Sequence, residues 1–372
     1  MGAEGEVESC SEGDALLAPD STVLFVAPLP GPITGQSVAC QALFEALKLH
    51  CRVESVDLSK QGFRQGANSL GRVFEVASIV GRVWRLQRHA DVLYLTISES
   101  LAGNAKDLLI YLVCFPKLSK MMIHLHGGAG MRAIMSGSPR PWRWLNRFFL
   151  RRIGSVVVLG PRHLPIFADA IPESRVHIVP NFAESDLFTT HARIDSKFDD
   201  CPPVRLLFLS NLLPGKGHVE LIEALDIVDD VTRSRLKVDI AGGFESQQQQ
   251  ESFLNAIKGR SDIAYHGIVR GEAKRTLFAN AHVFCLPTYY PYEGQPISIL
   301  EAYASGCMVI TTDHSGIFDI FAHEVNGYRV EKRSPRSLAE AIQRAASEVA
   351  SVRNMAHANL RLASERYRTD RY

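Results

Sequence analysis

The chain has 372 residues, 46% of them hydrophobic, with 41 Lys+Arg against 40 Asp+Glu for a net charge of +1. That length suits about two domains, and the balanced charge excludes a global field for nucleic acid. Seven cysteines, odd in number and without a CxxC pair, argue for free thiols in a reducing compartment and against a disulfide framework or a zinc site.

Residues 1–20 are acidic and Gly/Ser-rich, and read as a disordered tail with no signal peptide. No apolar run approaches the ~20 residues of a membrane span, so a cytoplasmic protein is expected. Thr22 to Pro28 is apolar enough for a buried strand. A loop with Gly31, Pro32, Ile33, Thr34, Gly35 and Gln36 follows, then a helical pattern from Val38 to Leu49. Strands are expected at 52–58, 91–97, 121–125, 155–159 and 175–179, and helices at 71–89, 105–118 and 141–152. Thr189 to Pro203 is polar, carries Asp-Asp and Pro-Pro, and reads as a linker. Alternation resumes with strands at 204–210, 236–241, 263–266, 282–286 and 308–311. Helices are expected at 218–228, 247–258, 271–279, 296–305 and 335–350, before a charged helix from Val352 to Tyr372. Each half is therefore a doubly wound α/β domain, 21–188 and 204–351, facing a cleft at the carboxyl ends of the strands.

Chemistry gathers at the loops. Glu293-Gly294-Gln295-Pro296-Ile297 opens a helix that carries Glu301 and stops at Gly306. Pro296 suits the first helical position, and the free N–H groups there suit an anion. Gly35 lets the backbone approach a phosphate, but GxGxxG is absent. Lys216, between Gly215 and Gly217 before a helix, is a point-charge phosphate ligand or a solvated helix-start lysine. His126 ends the strand MMIHL and precedes Gly127-Gly128, while His124 is read as core, pointing away from His126. Arg140, Arg143, Arg147, Arg151 and Arg152 interleave with Trp142, Trp144, Phe148 and Phe149. That helix either solvates its arginines over the sheet or lies on an anionic membrane surface.

The run from Glu293 to Gly306, with HGG at 126–128, Pro180-Asn181, the loop NLLPGKG and His314-Ser315-Gly316, resembles retaining GT-B glycosyltransferases of family 4, the group 1 type. The resemblance covers most of the chain. It implies two Rossmann-like domains, with a nucleotide-diphosphate sugar, UDP- or GDP-linked, bound mainly by the second. A glycan or lipid-linked acceptor would enter from the first, in cell-surface polysaccharide or glycoconjugate synthesis. It implies His126 beside the donor sugar, Lys216 on the diphosphate, Glu293 on sugar hydroxyls and Glu301 on the ribose. Gly35, Gly294, Gln295, Pro296 and Ile297 line the donor, backbone near Ile268 reads the base, and the terminal helix crosses back to the first domain. Asn211 stands where the family usually has arginine, which leaves the diphosphate one charge short. No DxD-type metal clamp is evident and no cofactor is implied. Two rivals stay open: an epimerase or phosphorylase of the same fold, and a non-catalytic partner subunit.

Overall fold

A computed structural model describes residues 20–29, 35–59, 69–199, 201 and 203–372. The acidic tail, but for Asp20, and the 31–34 part of the first loop lie outside the described residues. In chain order the first half carries β1 (Thr22–Ala27), α1 (Gly35–Lys48), β2 (Arg52–Asp57), α2 (Ser69–Leu86), β3 (Val92–Thr96), α3 (Leu101–Val113), β4 (Met121–Leu125), α4 (Ala129–Gly137), α5 (Arg140–Leu150), β5 (Ser155–Val158) and β6 (Val176–Ile178). After α6 (His191–Asp199) come β7 (Val204–Leu209), α7 (His218–Ile227), α8 (Asp230–Ser234), β8 (Leu236–Ala241), α9 (Gln247–Ala256), β9 (Ile263–Tyr265), α10 (Gly271–Asn280), β10 (Val283–Leu286), α11 (Ile297–Ala304), β11 (Met308–Thr312), β12 (Gly327–Val330), α12 (Pro335–Ser347) and α13 (Val349–Arg366).

The strands form two parallel six-stranded sheets, ordered β2-β1-β3-β4-β5-β6 and β12-β11-β10-β7-β8-β9. Such sheets need helices on both faces, so their strands are near-continuous apolar runs. Leu24, Phe25, Ile123, Phe208, Phe284 and Ile310 are all fully buried. In the first sheet the strand order reverses around β1 and β3, in the second around β7 and β10. Loops at such a reversal diverge and leave a crevice at the carboxyl edge. Gly35, Lys216 and Glu293 stand on those loops, and His126 follows the neighbouring β4.

Several elements differ from expectation. The supposed linker contains α6, which belongs to the second domain: Ile194 and Phe198 are buried in that domain's core. Lys197 of the same helix is driven inside, and its ammonium donates to Ala281 O (2.7 Å), Ser305 O (3.2 Å) and Gly306 O (2.8 Å). These are the last carbonyls of α10 and α11, where the helix dipole favours a cation. Helix α13 packs on α6 and α11 and stays with the second domain. The crossing back is made by the residues after it. Arg368 pairs with Ala183, and Tyr372 packs on Phe182 beside Val38 and Ala39. Three short elements, β12, α4 and α8, have no counterpart in the sequence reading. Each is too short or too glycine-rich to show a period.

Candidate functional site

The loop between β10 and α11 is built around a turn of Tyr289 to Glu293, with Glu293 N–H donating to Tyr290 O (3.0 Å). Pro296 is the N-cap residue of α11, one place earlier than expected. Gly306 follows the C-cap Ser305 with φ +64°, a left-handed stop that only a glycine takes without strain. Facing this loop, Gly215 (φ +91°) and Gly217 (φ +93°) force the turn that projects Lys216. Lys216 Nζ meets Glu293 Oε2 at 2.7 Å, with only 13% and 9% of the two side chains exposed. Thr288 Oγ1 donates to the same oxygen (2.9 Å), and the Tyr290 ring lies 4.8 Å from the ammonium. His314, of the HSG segment, fixes that tyrosine by a 2.7 Å contact of its Nε2 with Tyr290 O.

His126 comes from the other domain and touches this loop through main chain. A Cβ on Gly294 would lie 2.0 Å from His126 O. Burial pushes the His126 imidazole down to about 3, so the ring is neutral. His124 does not point away from it. The rings stack with centroids 3.9 Å apart, because residues two apart on a strand share a face. Tyr94 OH and His124 Nδ1 are 2.7 Å apart, fixing that ring in turn.

Glu301 is 3% exposed and its Oε1 accepts from Lys274 Nζ at 2.6 Å; Lys274 also reaches Glu184 at 3.2 Å. Burial pushes the Glu301 carboxyl up to about 7 against the pull of Lys274. Gly35 begins α1, where a Cβ would stand 3.9 Å from the Ile297 side chain. Asn211 is half-buried in the loop before Lys216, its carbonyl accepting from Leu213 N–H (2.9 Å). Ile268 is 69% exposed and covers Gly243, an apolar wall beside the ends of β8 and β9.

The side chain of Gln295 joins the domains: Oε1 accepts from Asn181 N–H (2.8 Å) and Nε2 donates to Leu159 O (3.1 Å). Two residues of the cleft carry no motif at all. His163 is buried against Gly128 of the first domain and Gly316 of the second. Glu99, after β3, accepts from Gly128 N–H (2.7 Å) and Gly130 N–H (3.0 Å). A buried carboxyl near a loop of N–H groups is a tertiary feature, and nothing in the local sequence announces it.

A cation held by a carboxylate beside two helix starts, across from a neutral histidine, is equipped for an anionic ligand with an attached polyol. The family described as "Glycosyl transferases group 1" matches residues 195–360. An uncharacterized glycosyltransferase of Methanocaldococcus jannaschii is 31% identical over 143 residues, 38% of this chain and 36% of that protein. The N,N'-diacetylbacillosaminyl-diphospho-undecaprenol alpha-1,3-N-acetylgalactosaminyltransferase of Campylobacter jejuni is 27% identical over 173 residues, 44% of this chain and 40% of that protein. The matches thus span well under half the length of these curated relatives. Over the whole chain the fold is that of Anabaena HepE, solved in complex with UDP and glucose. The TM-score is 0.70 at 17% identity, covering 94% of this chain and 96% of that one. The chain therefore has the two-domain GT-B fold, and its second half carries the group 1 signature from α6 into α13.

Proposed function

We propose that the protein is a retaining glycosyltransferase that moves a sugar from a UDP- or GDP-linked donor to a glycan or lipid-linked acceptor. The observation that carries this is the buried Lys216–Glu293 pair, set against His126 of the opposite domain. Lys216 takes the diphosphate, helped by the N-termini of α7 and α11. Charge builds there as the glycosidic bond breaks, and a fixed cation is worth most at that moment. Glu293 accepts hydrogen bonds from sugar hydroxyls, and neutral His126 lies beside the sugar without repelling positive charge developing on it. Backbone near Ile268 takes the base. The relatives' names support the class: one moves N-acetylgalactosamine onto a diphospho-undecaprenol carrier, and HepE holds UDP and glucose. The deciding experiment is a donor screen with product analysis. A transferred sugar with its anomeric configuration kept supports the reading. Turnover of a nucleotide sugar with no acceptor points to the epimerase, and no turnover of any donor points to the non-catalytic subunit.

Metal independence belongs to the same proposal, since Lys216 and the helix termini hold the diphosphate. Transfer is expected to persist in EDTA. Loss in EDTA with recovery in Mg²⁺ or Mn²⁺ would show that a cation holds the leaving group.

We also place the enzyme at the cytoplasmic membrane surface. No helix among the described residues is long and apolar enough to cross a membrane. Helix α5, however, leaves Trp144 64% exposed, stacked on Phe148, with the Arg152 guanidinium 3.9 Å above the Phe148 ring. Phe115, 43% exposed, extends the patch from the end of α3. The segment 140–152 contains no acidic residue. Each arginine near an anionic surface contributes about 1 kcal/mol. The chain should float with vesicles containing phosphatidylglycerol and not with phosphatidylcholine alone, and Trp144→Ser with Arg151→Glu should abolish flotation. Equal binding to both vesicles would remove the proposal.

A further inference from the structure

Glu99 is one of two cleft residues that neither the motif nor the proposed chemistry uses. It stands in the turn between β3 and α3, yet its carboxylate reaches the start of α4. Gly128, the N-cap of α4, has no side chain to offer the first N–H groups, and Glu99 Oε2 takes two of them. The loop is shaped around this carboxylate. A Cβ on Gly127 would fall 1.4 Å from Glu99 Oε1, and one on Gly130 would fall 2.4 Å from the Glu99 carbonyl oxygen. The opposite side of the same strip meets the second domain: a Cβ on Gly294 would lie 2.0 Å from His126 O and 3.0 Å from Gly127 Cα. The strip His126-Gly127-Gly128 is thus gripped between a carboxylate of one domain and the main chain of the donor loop.

We propose that Glu99 is a positioning residue that clamps the His126–Gly128 strip onto the loop Glu293–Gln295, fixing His126 relative to Glu293. The role rests on the glycosyltransferase reading of that site. A simple cap would not need this group. Burial pushes the Glu99 carboxyl up to about 7, the negative charge of Glu293 adds to that, and the N–H groups of Gly128, Gly130 and Met131 oppose it. A carboxylate held at such a cost is typical of a functional site. A serine or aspartate at position 128 would cap α4 without it.

The test compares Glu99→Ala and Glu99→Gln in the full chain. Three readouts are kcat with the donor found in the screen, UDP affinity by calorimetry, and amide hydrogen exchange at residues 126–131. Loosening the strip by about an ångström should lower kcat of Glu99→Ala about a hundredfold. Its UDP affinity should stay within about twofold of the parent, because Lys216 and Glu301, which this reading places on the nucleotide, belong to the second domain and do not depend on Glu99. Gly128 and Gly130 should lose exchange protection. Glu99→Gln should recover most of the rate, since one carboxamide oxygen can accept both N–H bonds that Oε2 accepts now. Lost protection with unchanged kcat would reduce Glu99 to a helix cap and overturn the proposal. A parallel fall of kcat, UDP affinity and melting temperature would overturn it too, as general damage. If no donor turns over in the parent, the proposed function falls by itself. Exchange then still decides the clamp, and unchanged protection in Glu99→Ala removes it.

Discussion

Lys216→Ala is expected to lower kcat by about 10²–10³, the loss of one preorganised charge on a developing anion being worth ~2–4 kcal/mol. The structure adds a second reason. Lys216 is the cation that neutralises Glu293, whose carboxylate is 9% exposed. Without it, Glu293 Oε2 keeps only the Thr288 hydroxyl among the partners it has here, and the carboxylate loses the cation that fixes it. The variant should therefore lose rate more than donor affinity, and arginine should restore little, because its planar fork does not replace a point charge. Steady-state kinetics with calorimetry of the donor settle it. An unchanged kcat would remove Lys216 from the reaction.

Glu301→Gln is expected to weaken the nucleoside diphosphate and the intact donor by similar factors, on the order of tenfold, as for a charged hydrogen bond worth ~1.5–3 kcal/mol. A ribose is remote from the bond that breaks, so its contacts form equally in substrate and product and add affinity without rate. The Lys274–Glu301 contact makes a stability effect unavoidable. Removing one partner of a buried pair costs about 3–5 kcal/mol when the other is left alone, and less here because Lys274 keeps Glu184. The variant should thus melt earlier and also bind less nucleotide. If it melts earlier and binds nucleotide normally, Glu301 serves only to hold α10 to α11. Glu293→Gln should separate the ligands the other way, losing the sugar donor while keeping the nucleoside diphosphate.

The sequence announces what is local. The strands show as apolar runs because parallel sheets bury both faces. Glu293, Gly294, Pro296 and Glu301 show because a loop, a helix start and a helix stop are adjacent in the chain. What stays hidden is decided by groups far apart. Lys197 reads as a solvated lysine in a polar linker, and only the ends of α10 and α11 explain why it is inside. Gln295 reads as a ligand because it stands in the motif, whereas Asn181 and Leu159 claim its side chain. Glu99 and His163 gain meaning from glycines about 30 and 150 positions away. His124 was legible all along: a period of two places it beside His126.

Part of the contact between the domains is made at glycines. Gly294 lies on the His126 carbonyl, and Gly128 and Gly316 enclose His163. Adhesion between matched side chains is private to one pair of surfaces, and each partner must change when the other does. Main chain resting on main chain is generic. Any half-molecule with the same loop trace and the same bare positions offers an acceptable mate. This part of the seam is therefore a joint that tolerates exchange: a donor-binding half could be recombined with a new acceptor-binding half, provided these positions remain without side chains and the bonds of Gln295 to Asn181 and Leu159 and the Arg162–Asp313 pair are kept.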